Sequence, residues 1–301
     1  MIKMFKVPFL TCFTILSLFI GCKETPPKID YTQKTLGLKD TTYINSISPA
    51  PVKTMIFLED LTGVKCVNCP KAAEKIHLIQ TDNTDKVVAI AAYPTALSGF
   101  TSPWDGFLVL NTPESDEIYS NIYESPSAMP IGGVNRRLFA GETGLNTSYN
   151  KWSGYADIIK TEESPIIIKS EIVSLDTIAR KVKVSVQVMF SKKYDESLNL
   201  AVYFIESKLF SKQSMPGAEP PKDDYEHNHV LRKSLTPYNG IQLKIDASTI
   251  GKYEIGRTFD KEFELVLDPK FKIRNCAFVF LANRFDAMSK EVIQAHEQPL
   301  Q

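Results

Sequence analysis

The segment KVKVSVQVMF, residues 181–190, puts Val182, Val184, Val186, Val188 and Phe190 on alternate positions, with Lys181, Lys183, Ser185 and Gln187 between them. Successive side chains of a strand point to opposite faces, whereas a helix repeats every ~3.6 residues. The run is therefore a half-buried strand, and its valine face needs a second layer to cover it. SLNLAVYFIES, FDKEFELVL and NCAFVFLAN read as further strands separated by polar turns. Together they predict an all-β, immunoglobulin-like antiparallel sandwich over residues 163–301. Only the tail, DAMSKEVIQAHEQ, carries a helical pattern in this half. A long excursion, SKQSMPGAEPPKDDYEHNHVLRKSLTPYNG, interrupts the strands. Connections of more than ~12–15 residues without regular structure are functional or disordered.

The preceding block, 53–162, has a different rhythm. TMIFLED is a short apolar strand, and CPKAAEKIHLI a helix with Ala72, Ala73, Ile76 and Ile79 at helical spacing and Pro70 in its first turn. KVVAIAAYP is a continuous apolar run of the kind buried on both faces. TPESDEIYSNIY reads as a helix with acidic residues in its first turn, where the macrodipole favours them. AMPIGGVNRRLFA brings a strand out of a Pro/Gly turn, and NTSYNKWSGYADIIK closes the block as a helix. Strands alternating with helices predict an α/β layer with parallel strands.

The length of 301 residues fits two domains at the usual ~100–200 residues each. Basic and acidic residues balance at 35 each, with no basic cluster interleaved with aromatics, so the sequence gives no sign of a nucleic-acid partner. The N-terminus differs in kind. Lys3 and Lys6 precede an apolar run over 9–20, too short for a membrane-spanning helix of about 20 apolar residues, and this reads as a secretory leader covering 1–21. Gly21-Cys22 then resembles a bacterial lipobox, which makes Cys22 the lipidated residue. Residues 22–52, with Pro26, Pro27 and Pro51 and no apolar period, read as a flexible tether.

The chemistry concentrates at Cys66 and Cys69, between the first strand and the first helix of the α/β block. An exported chain permits a disulfide there. A thiol at a helix N-terminus has its thiolate favoured by the unpaired N–H groups, and Lys65 adds positive charge. Cys66 is then the attacking sulfur and Cys69 the resolving one. An inert staple is the alternative, although so short a loop stabilises little by chain entropy. Glu59 and Asp60 stand before the pair; either could take its proton, or at least one be a solvated strand-end carboxylate or a helix cap. Met129-Pro130 occupies the place of a cis-proline loop facing a dithiol.

The segment FLEDLTGVKCVNCP closely resembles that of the Omp28-related outer-membrane lipoproteins of Bacteroidetes, IGGVNRR resembles the segment after their proline loop, and YEHNHVLRKSL is similar to a His-Asn-His stretch in their C-terminal half. The resemblance implies a thioredoxin-like first domain and an outer-membrane location. The chain departs from ordinary thioredoxins in having Lys65 before the pair and Val67-Asn68 within it, which leaves the direction of electron flow open.

Other candidates carry weaker signals. His227 and His229 would face one side of a strand, and with the two cysteines could complete a tetrahedral zinc site. Their distance in sequence favours instead a polar stretch packed beside the first domain, with Arg232 bonding backbone or carboxylate. Cys276 reads as a buried core thiol, and His77 as a partly exposed helix residue. Trp104 and Asp105 belong to an inserted loop near the active-site edge, whose aromatics cover the sheet or contact a partner, the covering role being favoured. The expected function is an envelope lipoprotein exchanging disulfides with protein substrates through Cys66, Cys69 and Pro130, with no cofactor, because the sulfur pair carries both electrons. The competing expectation is a surface binding or structural lipoprotein whose disulfide is not catalytic.

Overall fold

A computed structural model describes residues 38–301, apart from 48, 218, 247, 248, 250, 287 and 288. The expected leader and Cys22 lie outside the described residues. Strands β1 (Asp40–Ile44) and β2 (Val52–Lys53) lead into β3 (Ile56–Leu61), α1 (Cys69–Asp82), β4 (Val87–Ala92), α2 (Ser98–Thr101), α3 (Pro113–Glu117), β5 (Ile131–Val134), α4 (Trp152–Ile159) and β6 (Glu163–Ser164). The acidic helix expected from TPESDEIYSNIY is α3, capped by the Thr112 hydroxyl accepting from the Ser115 N–H, and it continues as one π-helical turn.

Among the described residues, the second half is β apart from one 3₁₀ turn at Ile273–Asn275. It comprises β7 (Ile166–Asp176), β8 (Lys181–Phe190), β9 (Asn199–Glu206), β10 (Leu209–Gln213), β11 (Lys222–His227), β12 (Val230–Ser234), β13 (Ile241–Gln242), β14 (Arg257–Val266), β15 (Cys276–Asn283) and β16 (Val292–Pro299). A four-stranded sheet, β1-β14-β8-β7, covers one face of a larger sheet. The valine face of β8 meets Leu200, Val202 and Phe204 of β9 and Phe278 and Phe280 of β15, which is the sandwich expected from the alternation. At about 1.5–3 kcal/mol for each fully buried large apolar side chain, this seam is a main source of stability.

Two local expectations change. The tail is strand β16, paired antiparallel with β15 from Ala277↔Pro299 to Asn283↔Val292, and not a helix. Its apolar residues are too few for a helical stripe, and the open edge of β15 supplies the backbone partners. Residues 40–44, inside the segment read as a tether, form β1 along β14, fixed by ion pairs Lys39–Asp260 and Lys261–Asp40.

The larger sheet has the order β16-β15-β9-β12-β4-β3-β5 with β13 beside β9, so it runs from the sandwich into the α/β layer. Strand β12 makes the join. It pairs antiparallel with β9 and, at Val230↔Ala91, parallel with β4, where the Ala91 N–H donates to the His229 carbonyl. Strands β3 and β4 are parallel, while β5 is antiparallel to β3. Every residue of β9 and β15 is buried, because one face meets the sandwich core and the other meets the core around Ile118, Tyr119 and Ile122. On the far side of β3, Ile56 and Leu58 pack against Ala72, Ile76 and Ile79 of α1 and Trp152 and Ala156 of α4.

Candidate functional site

Pro70 lies in the first turn of α1, where its missing N–H costs nothing, and the helix starts at Cys69. Cys66 thus lies in the turn before the helix, and Cys69 is its first residue. The two are joined as a disulfide. Both are buried, 1% and 2% exposed, and share an apolar cluster with Leu61, Met129 and Ile131. The Met129–Pro130 peptide is cis and stands immediately before β5, which brings the proline loop to the same cluster.

Strand alternation sends Glu59 and Asp60 to opposite sides of β3, and neither reaches solvent, which removes the strand-end reading for both. Glu59 takes a bidentate ion pair from Arg136, Nε to Oε2 at 2.8 Å and Nη2 to Oε1 at 2.6 Å, and Nη2 also reaches the Tyr203 hydroxyl at 3.3 Å. All of this lies in a fully buried setting, where losing one partner of such a pair costs about 3–5 kcal/mol. Asp60 has no such partner. Its Oδ1 is buried without a hydrogen bond, and burial pushes its carboxyl up to about 8.

The turn at Cys66 is held from two directions. From the α/β layer, the Trp104 indole N–H donates to the Val64 carbonyl at 3.3 Å, with the ammonium groups of Lys65 and Lys212 over its ring. From the sandwich half, Gln213 Nε2 donates to the carbonyls of Gly63 and Cys66 at 3.2 and 3.1 Å, and the Ser214 N–H to that of Val64 at 2.8 Å. The sequence reading of a covering role for the Trp104 loop agrees with this placement, and that loop covers the cysteine turn in particular. The long excursion is largely ordered: β10 and β11 form a hairpin, and β12 joins the sheet. Its prolines and its polar KDDYEH strand hid this regularity from pattern reading.

The hairpin roofs a cavity of about 540 Å³ above α1. Asp60, Cys69 and Tyr93 line it from the α/β layer, and Met215, His227 and His229 from the hairpin and its end; Cys66 does not. The two histidines therefore do come beside the first block. Nδ1 of His227 lies 2.8 Å from the Tyr93 hydroxyl, and Nε2 of His229 lies 3.2 Å from Gln80. Burial lowers both imidazoles to about 4. The cysteines are bonded to each other, and among the described residues no group of three or more His, Cys, Asp or Glu is placed to hold a metal ion. Arg232 lies 3.5 Å from Glu206 and over the Phe271 ring. Cys276 is a buried free thiol raised to about 12, and His77 is exposed at the cavity rim.

Comparison with known families places the chain. The family described as outer membrane protein Omp28 matches residues 116–300, more than half of the sequence. The chain belongs to the Omp28 family. The match begins after Cys66 and Cys69, so membership rests on the proline loop, the hairpin and the sandwich, and not on the dithiol. Among solved structures, HBP35 of Porphyromonas gingivalis superposes with a TM-score of 0.61 at 16% identity, over 83% of this chain and 76% of that one. A protein from Agrobacterium tumefaciens reaches a TM-score of 0.49 at 12% identity, over 84% of this chain and 97% of that one. No curated protein sequence matches the chain. No helix among the described residues is long and apolar enough to cross a membrane.

Proposed function

We propose that this Omp28-family protein is an envelope lipoprotein, anchored at Cys22 to the outer membrane, whose Cys66–Cys69 pair carries out thiol–disulfide exchange. Residues 53–162 serve as a thioredoxin-like unit: strand, Cys-x-x-Cys, helix and parallel strand, followed by Pro130 and an antiparallel strand. One observation carries the reading. The disulfide sits at the start of α1 beside a cavity whose wall also holds Asp60, a buried carboxyl without a charge partner. A carboxyl that keeps its proton near neutral pH, on the wall of the same cavity as Cys69, is suited to give that proton to a leaving thiolate and to take it back in the reverse step. The pair stores two electrons itself, so the reaction calls for no added cofactor.

The burial of both sulfurs favours a second reading, a binding or structural lipoprotein in which the disulfide is a staple. Measurement of the reduction potential of the couple, with Cys66→Ser as the control, separates the two. Exchange proteins fall at roughly −270 to −120 mV, and a value in that range is expected. A potential below about −300 mV, as structural disulfides have, would leave only the staple.

A further inference from the structure

We propose that the disulfide is opened from its second sulfur, by a small uncharged thiol that enters the cavity above α1 and attacks Cys69. This rests on the exchange reading and specifies its substrate and its polarity.

The Cys66 side is closed. Cys66 is 1% exposed, and its turn is held by Gln213, Ser214 and Trp104. A protein strand docking beside Pro130 onto Cys66 would have to break those bonds and lift the hairpin first. Cys69 is buried to the same degree, at 2% exposed, but it lines the cavity above α1, which Cys66 does not. A cavity of about 540 Å³ is ample for a small molecule and too confined for a folded partner.

The cavity also has the features of a binding site. Asp60 is 2% exposed, and its Oδ1 lacks a hydrogen-bond partner, as does the buried Nδ1 of His229. Such orphaned atoms cost about 1–3 kcal/mol each until a ligand or water satisfies them. Met215, Pro216 and Ile76 supply apolar wall. Burial keeps Asp60 protonated and both histidines neutral at pH 7, so the interior carries no charge to favour an ion. Lys71, Glu74, His77 and Glu226 stand at the mouth with mixed sign.

The electron balance is simple. The thiol enters as neutral RSH and gives its proton to solvent as its sulfur attacks Sγ of Cys69; the Cys66–Cys69 bond breaks, and Cys66 leaves as the thiolate. A second RS⁻ attacks the ligand sulfur of the mixed disulfide and frees Cys69. Two thiols become RSSR, the protein disulfide gains two electrons, and the two thiol protons end on the cysteines. The reverse direction reduces a small disulfide.

The test compares single-cysteine variants of the otherwise intact chain. Cys66→Ser leaves Cys69 as the free thiol, and Cys69→Ser leaves Cys66. Each is exposed to 2-hydroxyethyl disulfide, and the adduct is followed by mass on the tryptic peptide 66–71, which separates it from Cys22 and Cys276. Cys69 is expected to react at least about tenfold faster, since access decides which sulfur exchanges. Ala73 lines the cavity one helical turn after Cys69, from a half-buried position, so Ala73→Trp in the wild-type background fills the space in front of Cys69 while leaving both cysteines in place. That change should slow reduction of the intact disulfide by 2-mercaptoethanol about tenfold, with the circular dichroism unchanged. The anionic 2-mercaptoethanesulfonate should also be slower than 2-mercaptoethanol. Faster or equal reaction at Cys66 overturns the proposal and leaves exchange with the usual polarity. No reaction at either cysteine removes the exchange reading as well.

Discussion

Asp60 and Glu59 are adjacent on one buried strand, yet their chemistry is opposite. Glu59 is held in a bidentate pair by Arg136, which arrives from the turn after β5, where Asn135 and Arg136 both take positive φ. Asp60 meets only the cavity, so burial holds its proton up to about pH 8 against an ordinary value of 3.8. Between about pH 4 and pH 8 the folded chain keeps a proton that the unfolded chain has released, so this residue's contribution to stability is full below about pH 4 and declines as pH rises. Asp60→Asn lacks the titration. The variant should gain stability relative to wild type across that window, on the order of 5 kcal/mol by about pH 8. Urea unfolding at several pH values measures the difference, and a flat difference would mean that Asp60 ionises normally. The two cavity histidines, His227 and His229, act on the acid side with the opposite sign: their stability is lost as pH falls from about 6.5 to 4. The sequence placed both carboxylates before the cysteines, but nothing local named Arg136, seventy-odd positions later, as the partner that tells them apart.

Among the elements, β5 is short and owes its place to glycine. A Cβ on Gly132 would fall 2.2 Å from the Glu59 carbonyl oxygen and 2.9 Å from a Trp152 ring carbon. The backbone of β3 cannot yield without breaking the β3–β5 ladder, and Trp152 fills the core beneath it. Gly132→Ala should therefore cost about 2–4 kcal/mol, whereas Gly154→Ala on α4, with open space around it, should be neutral or slightly stabilising. Thermal unfolding of the pair decides it, and equal midpoints would show that β5 is not packed this tightly. The helices and long strands of both halves were legible because each has a clear period: 2.0 in β8, helical in α1 and α4. Strand β1, the β10–β11 hairpin and β16 were not, since they are polar edge strands whose pairing is dictated by the neighbour they cover.

At the scale of the molecule, the composition shift near residue 163 suggested two bodies, and the sheet crosses that point. Strand β12 is bonded to β4 on one side and β9 on the other, and the apolar cluster that holds Cys66 and Cys69 also contains Ala201, Tyr203, Ile205, Val279 and Leu281 from the sandwich strands. Cross-chain pairing of this kind has no period in sequence, which is why pattern reading found the layers but not their seam. The α/β block by itself would expose the β4 edge and one wall of that cluster, losing about 1.5–3 kcal/mol for each large side chain uncovered. That exceeds the few kcal/mol by which small domains are stable. A fragment ending at residue 162 should therefore fail to give a cooperative unfolding transition, and its cysteines should react quickly with small and large reagents alike. The chain extending to residue 301 should unfold in one step. A fragment that melts cooperatively, with its disulfide as protected as in the whole chain, would show that the sandwich half is an attachment and not the lid and wall of the sulfur site.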